Sequence, residues 1–175
     1  MMSEQHSSPS QPSGNLPNAA YRRFEGMREY EAIIDELIPG PQRIIRVFDK
    51  TLSPAWNTPR RQAVLRQFLL ADRQNRVFIV VHEAESIARV CPRLMELLRL
   101  FGASLKIHET QSPAKQVYDP FVIFDASHYV HRFHYRFLKA AQGTNDVLGA
   151  QQLIDRYTEI WEASALAVTG GASGL

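Results

Sequence analysis

The stretch YDPFVIFDASHYVHRFHY, residues 118–135, combines an apolar run with two aspartates and three histidines. Its β-branched and aromatic residues predict one or two strands. Side chains alternate between the faces of a strand, so His128 and His134 would lie on one face and His131 on the other. Three metal ligands converge from such a strand only if it breaks. We therefore expect hydrogen-bonded histidines on a half-exposed sheet.

The composition is that of a globular protein. The 175 residues are 45% hydrophobic and 22% charged, with a net charge of +2. No apolar run reaches the length of about 18 residues that spans a bilayer. The amino terminus lacks an apolar signal core, so we expect a cytoplasmic protein without a membrane span. The small net charge makes nucleic acid an unlikely partner.

One cysteine, Cys91, excludes an internal disulfide framework and a cysteine-rich zinc site. Residues 1–20 are rich in Ser, Pro, Gln and Asn, which predicts a disordered tail. Residues 169–175 have a similar loose composition and predict a flexible carboxyl terminus. A single domain is expected between them, over residues 21–168.

Hydrophobic periodicity alternates along this domain. Strands are predicted at 43–49, 76–83 and 104–110, before those in the stretch quoted above. Helices are predicted at 27–38, 59–72, 85–102 and 147–165, with Thr58 as an N-cap and Pro92 either kinking the third helix or beginning another. The last helix would turn Val147, Ala150, Ile154, Tyr157 and Trp161 inward. The order helix-β-α-β-α-β-β-β-α predicts an α/β domain with a mixed sheet flanked by helices.

A titratable residue stands at the end of three predicted strands: Asp49, His82 and His108. Ligands bind beyond the carboxyl ends of parallel strands in α/β sheets. Two imidazoles and a carboxylate could hold iron or zinc there, or could act as acid and base. The other interpretation is that strand ends become polar simply because they reach water.

From about Tyr21 to Leu175 the chain resembles a half-domain of the phospholipase D superfamily. The resemblance rests on the β-α-β-α-β run, then DPFVIFDASHYV, then a helix carrying YTEIWEAS. It implies a β-α-β-α-β-β-β-α half-domain with an extra amino-terminal helix. More narrowly, the chain resembles a bacterial domain of unknown activity that is sometimes joined to acetyltransferase-like domains.

The superfamily motif is a His, a spacer, a Lys, four residues and an Asp (HKD), followed by Gly-Ser-x-Asn. When the motif is aligned on Asp125, Tyr118 stands at the histidine position and Pro120 at the lysine position. Arg132, Phe133 and Tyr135 stand at the Gly-Ser-x-Asn positions. Asp125 alone matches the motif, so the resemblance implies the fold and argues against the superfamily's hydrolysis.

These observations lead to two functional hypotheses. The first is a non-catalytic module that binds a protein partner or an anionic, phosphate-containing ligand through Asp119, Asp125, His128, Arg132, His134 and Arg136. The second is an enzyme: a phosphodiesterase or nuclease with a rebuilt site at Asp125, His128 and His134, or a metal-dependent enzyme at Asp49, His82 and His108. No cofactor is implied.

The resemblance also bears on assembly. Phospholipase D enzymes build one site from two half-domains, so a homodimer with the Asp125 strands near its axis is expected. An acetyltransferase-like or other protein is a further candidate partner.

Overall fold

Three parallel strands form the centre of the sheet. The computed structural model describes residues 14–171. The parallel strands are β2 (Ile44–Asp49), β3 (Arg76–Val81) and β4 (Leu105–Thr110). Helix α2 (Pro59–Ala71) connects β2 to β3, and helices α3 (Ile87–Val90) and α4 (Pro92–Leu100) connect β3 to β4. Each crossover returns the chain to the same end of the sheet, so all three parallel strands finish at the opposite end.

Antiparallel strands extend the sheet on both sides. These strands are β1 (Ala20–Glu25), β5 (Phe121–Phe124), β6 (His128–Arg132), β7 (Lys139–Thr144) and β8 (Ser164–Val168). The order across the eight-stranded sheet is β1-β7-β6-β5-β2-β3-β4-β8. Helix α1 (Met27–Leu37) follows β1, and helix α5 (Val147–Glu162) joins β7 to β8. The predicted α/β architecture with a mixed sheet is therefore confirmed.

Alternation along the strands creates two apolar cores, one on each face of the sheet. Ile45 and Val47 belong to the larger core, which includes residues of α1, α2 and α4. Phe48 belongs to the smaller core, which is covered by α5. Burying a side chain of this size contributes about 1.5–3 kcal/mol. Both cores are needed because the central strands are buried on both faces.

Several local predictions are confirmed by the structure. The Thr58 side chain caps α2 by accepting a hydrogen bond from the backbone N–H of Arg61 at 3.2 Å. Pro59 is the first residue of that helix. Pro92 begins α4 as a helix separate from α3, because proline lacks the N–H that a continuous helix would need.

Three strands were not predicted: β1, β7 and β8. The helix predicted at 147–165 ends at Glu162, and residues 164 and 165 begin β8 instead. The sequences AYRRFE, KAAQGT and SALAV carry few of the residues that favour strands. They are extended because neighbouring strands offer backbone donors and acceptors, which their own side chains do not reveal.

The prediction for the inner face of α5 was correct only in part. Ala150 and Tyr157 are buried as expected, whereas Leu153 and Ile160 take the other inner positions. Trp161 is only partly buried, and its ring stacks on His108 with centroids 3.7 Å apart. The helix is rotated relative to the prediction, so Trp161 lies over His108 of β4 and stays partly exposed.

The predicted tail at residues 1–20 and the predicted carboxyl terminus at 169–175 are covered only in part, since residues 1–13 and 172–175 lie outside the described residues. Ala20 already belongs to β1.

No helix within residues 14–171 has both the length and the apolar character required to traverse a bilayer.

A buried arginine joins the amino-terminal helix to the domain. Arg61 is fully buried in α2 and donates to the Asp35 carboxylate (Nε to Oδ1, 2.7 Å) and to the Glu31 carboxylate (Nη1 to Oε2, 2.7 Å). Its Nη2 donates to the Glu31 carbonyl at 2.9 Å, and the guanidinium lies 4.7 Å from the ring centroid of Trp56. All three nitrogens are therefore satisfied, which a buried cation requires.

We expect Arg61→Met to lower the free energy of unfolding by about 3–5 kcal/mol, because it leaves two partly buried carboxylates without their cation. Urea unfolding would measure this loss. The matched control is Arg66→Met on the exposed face of the same helix, which should change stability by no more than about 0.5 kcal/mol. Equal losses in the two variants would contradict the assigned role of Arg61.

Candidate functional site

The six residues predicted to bind ligand fall at two ends of the sheet. We call the end where β2, β3 and β4 finish the carboxyl edge, and the opposite end the amino edge. The carboxyl edge holds Asp119, Arg132, His134 and Arg136, and the amino edge holds Asp125 and His128. The prediction that His134 shares a strand face with His128 is wrong, since β6 ends at Arg132 and the chain turns.

This separation also divides the residues of the enzymatic alternative. Asp125 and His128 lie at the start of β6, whereas His134 lies beyond its end. The strand spans four residue steps, or about 13 Å at roughly 3.3 Å per step. The three side chains are therefore not brought together as one catalytic group.

Asp125 has a structural role at the amino edge. It adopts a positive φ of 50°, which aspartate tolerates better than most residues. One oxygen of its carboxylate accepts hydrogen bonds from the backbone N–H groups of Arg43 (2.7 Å) and Ile44 (2.8 Å). Its own N–H donates to the Ile44 carbonyl at 2.9 Å. The carboxylate therefore fixes the turn between β5 and β6 against the start of β2.

His128 lies beside this turn. Its Nδ1 is 2.9 Å from the Ser127 hydroxyl. His128 also lines a cavity of about 240 Å³, together with Asp125 and with Gln42, which lies just before β2. No cationic side chain lines this cavity, so it offers little to a phosphate group.

Arg132 organises the carboxyl edge. It is only 7% exposed, and its Nη2 donates to the carbonyl oxygens of Tyr135 (2.6 Å) and Phe137 (3.1 Å). Its guanidinium lies 5.8 Å from the ring centroid of Tyr30. The Nε of Arg132 and the hydroxyl of Tyr30 are both buried, and neither has a hydrogen-bond partner among the described residues. The arginine therefore holds the following loop while one donor remains unused.

Asp49 ends β2 close to these two groups. Burial raises the pKa of its carboxyl to about 7, although the Lys50 N–H and the charge of Arg132 act in the opposite direction. The Lys50 N–H donates to Asp49 Oδ1 at 2.7 Å. Burial also raises the pKa of Tyr30 well above its usual range. The phenol of Tyr30, the guanidinium of Arg132 and the carboxyl of Asp49 therefore influence one another electrostatically at this edge.

The loop between β6 and β7, residues 133–138, presents aromatic side chains to solvent. Its backbone is fixed by bonds from Tyr135 N–H to the Tyr118 carbonyl (2.8 Å) and from Phe133 N–H to the Lys139 carbonyl (3.1 Å). The side chains of Phe137 and Leu138 are 62% and 48% exposed. We call residues 133–138 the aromatic loop. It is an ordered turn that exposes apolar surface, which is typical of contact sites.

One cation of the aromatic loop and two from neighbouring elements lie near its rings. The Lys50 ammonium lies 5.0 Å from the ring centroid of Tyr135, and the Arg136 guanidinium lies 5.6 Å from the same centroid. Arg23 comes from β1 and lies 5.6 Å from the ring of Phe133. Lys50 also forms an exposed pair with Glu83 at 3.5 Å. This arrangement alternates cationic and aromatic groups over one surface.

Asp119 is occupied by other side chains. One carboxylate oxygen is 2.7 Å from His131 Nε2, and the other accepts a hydrogen bond from Arg156 of α5. His131 itself lies between the rings of Phe121 and Phe133, in edge-on contact with both. Asp119 therefore connects β5, β6 and α5, and its oxygens are already used.

The strand-end residues proposed as a metal site do not converge. The His82 Nε2 donates to the Val117 carbonyl at 2.6 Å, so its Nδ1 accepts from the Thr110 hydroxyl, 2.6 Å away. Nδ1 of His108 donates to Ser164 Oγ at 2.9 Å, and the His108 ring stacks on Trp161. Within residues 14–171 no three metal-ligating side chains form a group. Asp49 points to the opposite face of the sheet from both histidines because of strand alternation.

Sequence reasoning missed several residues of this edge. Lys50 was not singled out, and nothing in the sequence relates Arg23 to Phe133, which lies 110 positions away. The hexapeptide FHYRFL, residues 133–138, was assigned in part to a strand. Its alternation of aromatic and basic residues was the available signal.

Comparison with known proteins identifies the fold. Residues 26–168 match the profile of a family described as Domain of unknown function (DUF7931). No curated protein matches the chain. Among solved structures, it is similar to Nuc from Salmonella typhimurium, a phospholipase D family member, with a TM-score of 0.64 and 14% identity over 87% of this chain and 100% of Nuc.

Two further structures have the same fold. NucT from Helicobacter pylori gives a TM-score of 0.55 and 11% identity over 86% of this chain and 100% of NucT. TrmBL2, an archaeal chromatin protein described as showing a novel mode of DNA binding, gives a TM-score of 0.63 and 12% identity over 87% of this chain and 55% of TrmBL2. The predicted phospholipase D-like fold is confirmed. The likeness to TrmBL2 does not support our expectation that nucleic acid is an unlikely partner.

The titration of Asp49 gives a testable pH dependence. Between the ordinary carboxyl pKa and about 7, the folded protein binds a proton that the unfolded chain does not. The contribution of this group to stability therefore falls as the pH rises through that window, and it stays low above it. We expect Asp49→Asn to be more stable than the parent at pH 8, with the gain shrinking toward pH 5. Thermal unfolding at both pH values would measure it, and a difference that does not vary with pH would contradict the assignment.

Proposed function

We propose that this chain, which belongs to the family described as Domain of unknown function (DUF7931), is a non-catalytic module that binds an anionic, phosphate-containing ligand. The chain has the fold of phospholipase D family members. The binding surface would be the aromatic loop together with Arg23 and Lys50. Fold alone does not define function, so the proposal rests on the chemistry of this surface.

The alternation of cations and aromatic rings at the carboxyl edge carries the proposal. Arg23, Lys50 and Arg136 each lie within 5.6 Å of the centroid of an aromatic ring. Guanidinium and ammonium groups pair with phosphate oxygens, and the exposed rings can pack on the apolar part of the same ligand. Because Arg132 fixes the loop backbone, little ordering would be required on binding.

The groups at the motif positions support binding in preference to turnover. Tyr118 is 47% exposed, and its ring lies 5.6 Å from that of His134. A tyrosine nucleophile needs a base within hydrogen-bonding distance. Among the described residues, no such base contacts its hydroxyl. Pro120 carries no charge with which to hold a phosphate.

A phosphate is common to nucleic acids, lipid headgroups and small anions. The DNA-binding description of TrmBL2 and the exposed phenyl rings favour a single-stranded nucleic acid as the first probe, since every base has a face that can stack on an aromatic ring. Inorganic pyrophosphate and vesicles with an anionic phospholipid are the comparison probes, because both lack bases.

We expect a labelled single-stranded oligonucleotide to bind, with affinity falling as salt rises by a slope of about −0.7 per phosphate neutralised. Fluorescence anisotropy measures this affinity. Phe137→Ala removes a ring on which a base can stack and should weaken binding about tenfold. Arg136→Ala removes a cation that can pair with a phosphate and should weaken binding to a similar extent. Arg66→Ala, an exposed arginine on α2, is the matched control and should have no effect.

Two results would contradict the proposal. One is an absence of binding to the oligonucleotide, the pyrophosphate and the vesicles alike. The other is hydrolysis of bis(p-nitrophenyl) phosphate that persists through repurification and is lost in His134→Ala, since that would show an enzyme with a rebuilt site.

A further inference from the structure

The two edge strands of the sheet differ in how they are protected from pairing. Strand β1 exposes Arg22, Arg23 and Glu25, and charged side chains of this kind discourage the addition of another strand. Strand β8, with the sequence SALAV, has neither charge nor proline, although its pairing with β4 shifts register between Leu166 and Val168. Its central residues Ala165, Leu166 and Ala167 are exposed. Within the described part of the chain, β4 is the single strand that pairs with β8, so one side of the β8 backbone is open.

A groove runs along β8 on the face of the sheet that carries α3 and α4. Its volume is about 470 Å³, and it is lined by Ala165 and Ala167 of β8 and by Ala84, Glu85 and Ala88 near α3. Glu85 is exposed and forms no ion pair within residues 14–171. Its walls therefore combine these alanines with the polar side chains of Glu109, Thr110 and Gln111, and Glu85 places a carboxylate beside the start of β8.

The other end of β8 has the opposite charge. Gly170, just beyond the strand, packs so closely on α4 that a Cβ atom there would lie 2.5 Å from the Cα of Arg99. Arg99 is exposed in the last turn of α4, next to Leu100, which is 61% exposed. An acidic end and a basic end thus flank the same strand on the same face.

We propose that β8 pairs antiparallel with β8 of a second copy of this chain, across a two-fold axis near Leu166. An axis perpendicular to the sheet preserves each face and reverses the strand direction. Glu85 of one copy then meets Arg99 of the second copy at both ends of the pair. The two eight-stranded sheets would join into one of sixteen strands.

Charge complementarity favours a second copy over an unrelated strand. A two-fold axis matches the acidic end of β8 with its own basic end, with no other partner required. Backbone hydrogen bonds along the open edge would add the contacts of a normal antiparallel ladder. The proposal is independent of the ligand-binding proposal, since the aromatic loop joins β6 to β7 and therefore lies near strand β1, on the side of the sheet away from β8. It places the two-fold axis at β8, whereas the resemblance implied an axis near the Asp125 strands.

Light scattering and sedimentation at micromolar concentration provide the first test. We expect a mass of about twice 19.9 kDa. Leu166→Lys sets two ammonium groups opposite each other at the axis, so dimerisation should weaken about tenfold or more. Leu148→Lys is the matched control, because Leu148 is a similarly exposed leucine on α5.

A charge exchange provides the second test. Glu85→Arg and Arg99→Glu should each weaken the dimer, and the double variant should restore it. A monomer at every concentration measured would overturn the proposal. It would also be overturned by a dimer that Leu166→Lys leaves unchanged, or by a double variant no better than its parents. Circular dichroism of each variant verifies that the fold is intact.

Discussion

The carboxylate of Asp125 fixes the point at which parallel strands give way to antiparallel ones. By accepting the N–H groups of Arg43 and Ile44, it holds the β5–β6 turn against the start of β2. Hydrogen bonds to an ionised acceptor are stronger than neutral ones. Because β5 then runs back along β2, its first residues arrive at the end where β2, β3 and β4 finish. The carboxyl edge is therefore assembled by an anchor at the opposite end of the sheet.

At the carboxyl edge, a buried cation takes over the organising role. Arg132 uses its guanidinium to hold the carbonyls of Tyr135 and Phe137, so the aromatic loop is fixed from below and its rings remain exposed above. Burying such a charge is costly unless it is hydrogen-bonded. Here the cost is offset by two carbonyls and the ring of Tyr30. The raised pKa of the nearby Asp49 carboxyl reflects the same burial.

The likeness to Nuc at 14% identity shows that one fold can be built from very different side chains. The sheet requires apolar residues at alternating positions, and many sequences meet that requirement. Polar residues at strand ends are under no such constraint, which is why one fold can host different chemistry. In this chain the carboxyl edge carries Tyr118, Pro120 and the aromatic loop, with the cations of Arg23 and Lys50 beside them.

The central strands, the N-cap of α2, an interruption at Pro92 and the α/β class could be predicted from the residues alone, because each follows from local periodicity or from the chemistry of one residue. Long-range packing sets the edge strands, the position of Trp161 over His108 and the separation of Asp125 from His134. It also decided the approach of Arg23 to Phe133. These features depend on which strand lies beside which, and that neighbour relationship is set by burial of two cores at once, with no signal in any single stretch of residues.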